Sequence, residues 1–287
     1  MNPSSRGILC ILVSGLLLAS NDAISKWLVP FYPPGQIIFS SSISVVFVSL
    51  VLIKLILRKS IKIQKPWTHL LRGIFFAVAF FAFVVSLGYM PLATAMCIAF
   101  AGPLFMTLMG KFILGEEVGR YRLGAVIAGF IGVLIMINPS TDRFEWFLLI
   151  PLIVAIGDAA RDILTRYMTK TEDSFVIVFT TAFTVSIIAV FSFNGEWVLP
   201  TPNHLILFLA TGVLMVAAYF LMVEAYRFAT TVVIAPFRYI QIIWGIVAGF
   251  IIWGEIPGLN IYAGLLLTAG SGIVIAYREH KSHQDNS

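Results

Sequence analysis

Apolar stretches long enough to cross a bilayer follow one another along almost the whole chain. A segment in lipid must satisfy its backbone N–H and C=O groups without water, so it folds as a helix or as part of a closed barrel. Barrel strands are about ten residues long, whereas a helical span needs about 20. Pro, Gly and charge clusters divide this chain into ten segments, at 7–29, 36–57, 69–88, 92–114, 121–137, 146–168, 174–193, 203–226, 231–253 and 259–277. Each predicts a transmembrane helix, so the expected fold class is all-α integral membrane. Charged residues make up 11% of the chain and hydrophobic ones 59%. Soluble domains carry about 25% charged residues, so a water-soluble fold is excluded. The first apolar run has no small-residue cleavage site after it and is expected to remain as the first helix.

The net charge of +5 reports topology, and no nucleic-acid partner is expected. Lys54, Arg58, Lys59, Lys62, Lys65 and Arg72 cluster around the 2–3 loop, Arg120 and Arg122 in the 4–5 loop, and Arg166 and Lys170 near the 6–7 loop. Arg6, Arg227, Arg278 and Lys281 fall on the same side, while the opposite loops hold little but Arg143. The positive-inside rule then puts both termini in the cytoplasm of a bacterial inner membrane. Trp27, Trp67, Trp146, Trp197 and Trp253 sit at or just beyond segment ends, as an interfacial belt does; Trp244 does not. Cys10 and Cys97 lie inside apolar segments and suggest no disulfide.

The two halves echo each other. Asp22-Ala-Ile-Ser-Lys26-Trp-Leu28 reads against Asp162-Ile-Leu-Thr-Arg166-Tyr-Met168, and Phe39-Ser40-Ser41 against Phe179-Thr180-Thr181, all about 140 positions apart. Gly115-Glu116 matches Gly254-Glu255, and Gly124 and Gly132 match Gly264 and Gly272, at nearly the same offset. A shared offset of half the chain predicts a duplication: residues 1–138 as the first repeat, 146–278 as the second, and 279–287 as a cytoplasmic tail. Five helices per half make the second repeat enter from the other side. The halves are then inverted about an axis in the membrane plane, with a binding site expected near the midplane where they meet.

The run Ser20-Asn21-Asp22-Ala23-Ile24-Ser25-Lys26, with Ala235-Pro236-Phe237-Arg238-Tyr239 and Gly254-Glu255, resembles the EamA-type proteins of the drug/metabolite transporter superfamily. Within that superfamily it is similar to the S-adenosylmethionine uptake branch, and the resemblance covers the whole chain. It implies two EamA repeats, with segments 1, 3, 4, 6, 8 and 9 lining a central path and segments 5 and 10 as outer support. Many relatives carry an Arg near the position of Ser40 or Ser41, which this chain lacks.

A charge in hydrocarbon costs about 2.5–3.5 kcal/mol on insertion scales, so intramembrane charges need partners or water. Arg238, two residues after Pro236, is expected either to clamp a substrate carboxylate or phosphate or to pair with Asp158 or Glu224. Asp158, Arg161 and Asp162 share one helix face. They read either as a proton-coupling or cation site or as structural pairs, Asp158 with Arg161 and Asp162 with Arg166. Asp22 is expected to pair with Lys26 or to face the cavity, and Lys26 to snorkel outward. Glu116 and Glu255 are expected in turn and cap roles. Tyr239 and Trp244 are candidates for stacking on a flat or cationic ligand, with Gln241 and Asn21 adding hydrogen bonds. Pro103 and Pro236 mark bends that serve either as hinges or as static kinks. Gly245 and Gly249 suit close packing, within the chain or between two copies of a homodimer.

These features point to a secondary carrier of a small polar or zwitterionic metabolite working by alternating access. S-adenosylmethionine uptake or exchange is the leading reading, and an amino acid or riboflavin, imported or exported, is the alternative. No Walker motif is present, so ATP is not the drive. The four histidines lie at helix ends or in the tail, and no metal cluster or nucleophile–base pair appears, so an enzyme is not expected, nor a cofactor or metal ion. The expected partners are a small-molecule substrate and the lipid bilayer.

Overall fold

The structure is a computed structural model that describes residues 3–58, 60–114, 120–138, 145–168, 171–228 and 237–285. Helix α1 spans Pro3–Leu28, α2 Pro34–Val51, α3 Pro66–Leu87, α4 Leu92–Ala99, α5 Gly102–Leu114 and α6 Arg120–Ile137. Helix α7 spans Ile150–Met168, α8 Ser174–Val190, α9 Pro202–Phe228, α10 Ile240–Trp253 and α11 Leu259–Asp285. Among the described residues, α1, α2 with the π-helical turn Leu52–Ile56 that continues it, α3 and α9 are each long and apolar enough to cross a bilayer, and five further apolar helices are shorter.

The sequence explains the punctuation. Pro34, Pro66 and Pro202 open their helices at positions where the missing N–H is not needed. Asp173 caps α8 by accepting the Phe175 N–H at 2.9 Å. Pro103 cannot donate to a carbonyl one turn back, and the fourth segment accordingly breaks into α4 and α5 at Phe100–Ala101. The sixth segment starts as a single 3-10 turn, Trp146–Leu149, before α7. The last helix continues to Asp285, through most of the stretch expected as a tail. Pro236, Glu116 and the linker 139–144 lie outside the described residues, as do the side chains of Arg166 and Arg227.

The helix pairings fall into matched sets. Helix α1 packs on α9, as α7 packs on α3. Helix α2 packs on α9, as α8 packs on α3; α1 lies against α10, as α7 lies against α4 and α5. The remaining large interfaces, α2 with α8 and α6 with α11, join helices one half-chain apart. The matching extends to single residues. Gly73 on α3 sits against Thr184 on α8, and Gly212 on α9 sits against Ser44 on α2. In each case the glycine lets two helices approach until a methyl group would not fit. At the bundle's edge, α6 and α11 close on each other through Gly132 and Gly264, with the Thr268 hydroxyl donating to the Gly129 carbonyl at 3.3 Å.

Candidate functional site

Helix α7 carries Asp158, Arg161 and Asp162 on one face. Arg161 binds both acids, at 2.7 Å to Asp158 and 2.9 Å to Asp162. Its guanidinium also lies 5.4 Å from the Phe76 ring centre and 6.0 Å from that of Tyr219. Held by two carboxylates and two rings, and with its side chain 5% exposed, Arg161 is a fixed element. Arg238, two residues ahead of α10, donates to the second oxygen of Asp162 at 3.1 Å. The outer members of this chain of charges are more open: side-chain exposure is 31% for Asp158, 22% for Asp162 and 25% for Arg238. Charges on helices this apolar need partners or water, and here Asp158, Arg161, Asp162 and Arg238 partner one another.

Asp158 and Glu224 were the acids considered for Arg238 from sequence; the structure brings it to Asp162. Asp162 is thereby shared between Arg161 and Arg238, while the Arg166 pairing considered from sequence falls on a side chain outside the described residues. Arg72 joins the cluster and was not expected there. It is buried on α3, donating through Nε to the Thr165 hydroxyl at 2.8 Å and through Nη1 to the Thr181 hydroxyl. Sequence reasoning counted it with the basic 2–3 loop. Its signal was its depth: six residues past Pro66, it is nearly two turns inside α3.

The α1–α10 face holds a second set. Gln241 donates its amide to Asp22 at 3.0 Å, and the neighbouring Asn21 is buried. Lys26 neither snorkels nor pairs with Asp22. It is buried and forms an ion pair with Glu255, sits 5.0 Å from the Trp253 ring centre and reaches the Met90 carbonyl at 3.5 Å. The other Glu255 oxygen accepts the Leu92 N–H at 3.1 Å, capping α4. Gly254 makes this possible. Its positive φ of 67° ends α10 in a left-handed turn, with Glu255 N–H bonded back to the Gly249 carbonyl, and turns the chain so that Glu255 reaches α1 and α4.

Two aromatic candidates stand elsewhere. Tyr239 packs with Phe100, its hydroxyl turned to the Thr268 carbonyl at 3.4 Å, and it fills the space over Gly272. It is a packing residue between α4 and α11 rather than part of the charged cluster. Trp244 lies one turn beyond Gln241 on α10 and is 37% exposed. Tyr219, by contrast, is at the cluster, edge-on to Phe76 at 5.8 Å.

Residues 5–138 match the EamA-like transporter family. The S-adenosylmethionine uptake transporter of Rickettsia prowazekii is 26% identical over 279 residues, covering 96% of this chain and 94% of that protein. A riboflavin transporter of Rhizobium johnstonii is 25% identical, covering 95% and 91%. The pseudopaline exporter CntI of Pseudomonas aeruginosa is 24% identical, covering 91% and 93%. A solved crystal structure superposes with a TM-score of 0.60 at 16% identity, covering 96% of this chain and 97% of the other, which establishes a shared fold.

Proposed function

This chain carries an EamA-like transporter domain, and from that premise we propose that it takes up S-adenosylmethionine across the bacterial inner membrane as a secondary carrier. It is a multi-pass membrane protein of a transporter class, not an enzyme. The observation that carries the finer reading is the arrangement of Arg238, Asp162, Arg161 and Asp158, fixed at Arg161 and partly exposed at the other three. S-adenosylmethionine bears a carboxylate, an amine, a sulfonium and a flat purine. Arg238 suits the carboxylate, Asp158 a cationic group, and the Tyr219 ring a stacked base or sulfonium.

The reciprocal helix pairings support reading residues 1–138 and 146–278 as inverted repeats, with Asp158 near the midplane between them. Alternating access then opens one end while the other closes. In this reading the Lys26–Glu255 pair holds the outer end shut, because it ties α1, the start of α4 and the end of α10 together. The break at Pro103 supplies a place for α4 and α5 to bend against each other.

The test is counterflow in proteoliposomes with labelled S-adenosylmethionine, riboflavin and amino acids. Saturable counterflow of S-adenosylmethionine that fails in Arg238→Ala supports the reading. Riboflavin has no carboxylate, so riboflavin transport indifferent to Arg238 rejects the clamp. Reporter fusions in the loop at 58–65 and in the loop at 194–201, expected on opposite sides of the membrane, test the inverted topology with both termini cytoplasmic.

A further inference from the structure

Asp22 is an acid inside a membrane-spanning helix that meets no base among the described residues. The lysine one turn further along, Lys26, is engaged with Glu255 and the Met90 carbonyl. Asp22 is met instead by two neutral amides. Gln241 donates through Nε2 at 3.0 Å, and the Asn21 amide is within hydrogen-bonding reach.

Asn21 is 3% exposed, and its Oδ1 has no hydrogen-bond partner. Ser25 does not supply one, since its hydroxyl turns to the Asn21 main-chain carbonyl at 3.0 Å. Buried polar atoms are paired in the great majority of cases, so an orphaned acceptor calls for an explanation. Asp158 lies within electrostatic range of Asp22, and its own base, Arg161, is shared with Asp162. This corner therefore has acceptors in excess and lacks positive charge. Carboxylate and amide oxygens are the donor set of a hard cation. They equally accept the N–H groups of a primary ammonium.

We infer that Asn21, Asp22 and Gln241 form a seat for a small monovalent cation, either an alkali ion or the ammonium group of the transported molecule. The seat lies between α1 and α10 and is separate from the arginine cluster on α7. Filling it satisfies the Asn21 oxygen and neutralises Asp22. Because Gln241 bridges to Asp22 across that interface, the occupant sits where the two helices are joined. The ammonium source rests on the carrier reading given above; the alkali-ion source does not.

Thermal unfolding of the full-length protein in detergent separates the two sources. Wild type, Asp22→Asn and Asn21→Ala are compared in sodium chloride, in N-methyl-D-glucamine chloride, and in the latter with S-adenosylmethionine or its N-acetylated derivative, whose nitrogen is uncharged. A sodium-induced rise in the wild-type midpoint that both variants lose assigns the seat to the ion. A larger rise with S-adenosylmethionine than with the acetylated form, with the difference lost in both variants, assigns it to the ammonium. Responses to every probe that are the same in wild type and variants overturn the seat. A sodium response lost in Asp22→Asn, with none to S-adenosylmethionine in wild type, keeps the seat and rejects that substrate. A response to S-adenosylmethionine indifferent to Asp22, with no sodium response, keeps the substrate and rejects the seat.

Discussion

Arg238 donates to Asp162 at 3.1 Å, joining the residues just ahead of α10 to the middle of the polar face of α7. The bond uses one oxygen of a carboxylate whose other oxygen is held by Arg161. It is the link through which a fixed cluster meets a helix that begins beside it.

Arg238→Ala and Arg238→Lys separate charge from shape. A guanidinium binds a carboxylate with two parallel N–H groups, and an ammonium cannot. A hydrogen bond to a charged group contributes about 1.5–3 kcal/mol, or roughly tenfold to a hundredfold in affinity. Arg238→Ala is expected to lose that much in apparent affinity for S-adenosylmethionine in proteoliposomes, and Arg238→Lys to recover only part of it. Full recovery with lysine shows that only the charge matters.

Arg161 and Asp158 are expected to differ in the fold rather than in transport alone. Removing Arg161 leaves two carboxylates without their common base. Breaking a buried pair in this way costs about 3–5 kcal/mol. Arg161→Met should therefore lower the unfolding midpoint sharply in detergent. Asp158→Asn leaves Arg161 paired to Asp162 and should unfold near wild type while transport falls. Equal midpoints for the two variants contradict this division.

The helical class and the proline-marked starts of α2, α3 and α9 were legible because bilayer thickness and proline geometry act locally. The offset also placed Glu255 in a capping role, which it has at Leu92. Side-chain partners were less legible because they depend on which helix lies opposite. Asp22 and Lys26 are one turn apart on α1, so a local pair was expected. Lys26 instead meets Glu255, 229 positions away, because the turn at Gly254 carries that acid back to α1. Tyr239 follows Arg238 directly, yet successive residues on a helix point about 100° apart. One therefore faces the charges and the other faces α11. Arg72 was missed because a base near a basic loop reads as a topology signal, whereas its partners are hydroxyls on α7 and α8.

The Lys26–Glu255 pair, which the proposed orientation puts at the outer end, can be tested by exchange. Glu255→Gln keeps an acceptor for the Leu92 N–H but removes the charge facing Lys26. Lys26→Glu with Glu255→Lys keeps opposite charges in reversed order. Glu255→Gln is expected to raise labelling of a cysteine at position 158 by a membrane-impermeant maleimide from outside, in a background without Cys10 and Cys97. The reversed pair is expected to bring labelling back toward wild type. Labelling that ignores both variants removes this pair from the closure proposed for that end.

The two glycine contacts give different expectations although they occupy matching places. A Cβ added at Gly73 would lie 2.5 Å from the Thr184 Cβ, with the Thr184 methyl and hydroxyl also within 3 Å. A Cβ added at Gly212 would lie 2.8 Å from the main-chain carbon and oxygen of Ser44. Overpacking of this kind costs about 1–3 kcal/mol, so Gly73→Ala and Gly212→Ala should each lower the unfolding midpoint. The cures differ. The obstacle at Gly73 is a side chain, so Thr184→Gly should relieve Gly73→Ala in the double variant. The obstacle at Gly212 includes backbone, so Ser44→Gly should leave Gly212→Ala unrelieved. Midpoints of the four variants and the two double variants, measured in detergent, decide it. Rescue at both sites, or at neither, would mean that the helices move apart to absorb the added methyl group instead of holding their spacing.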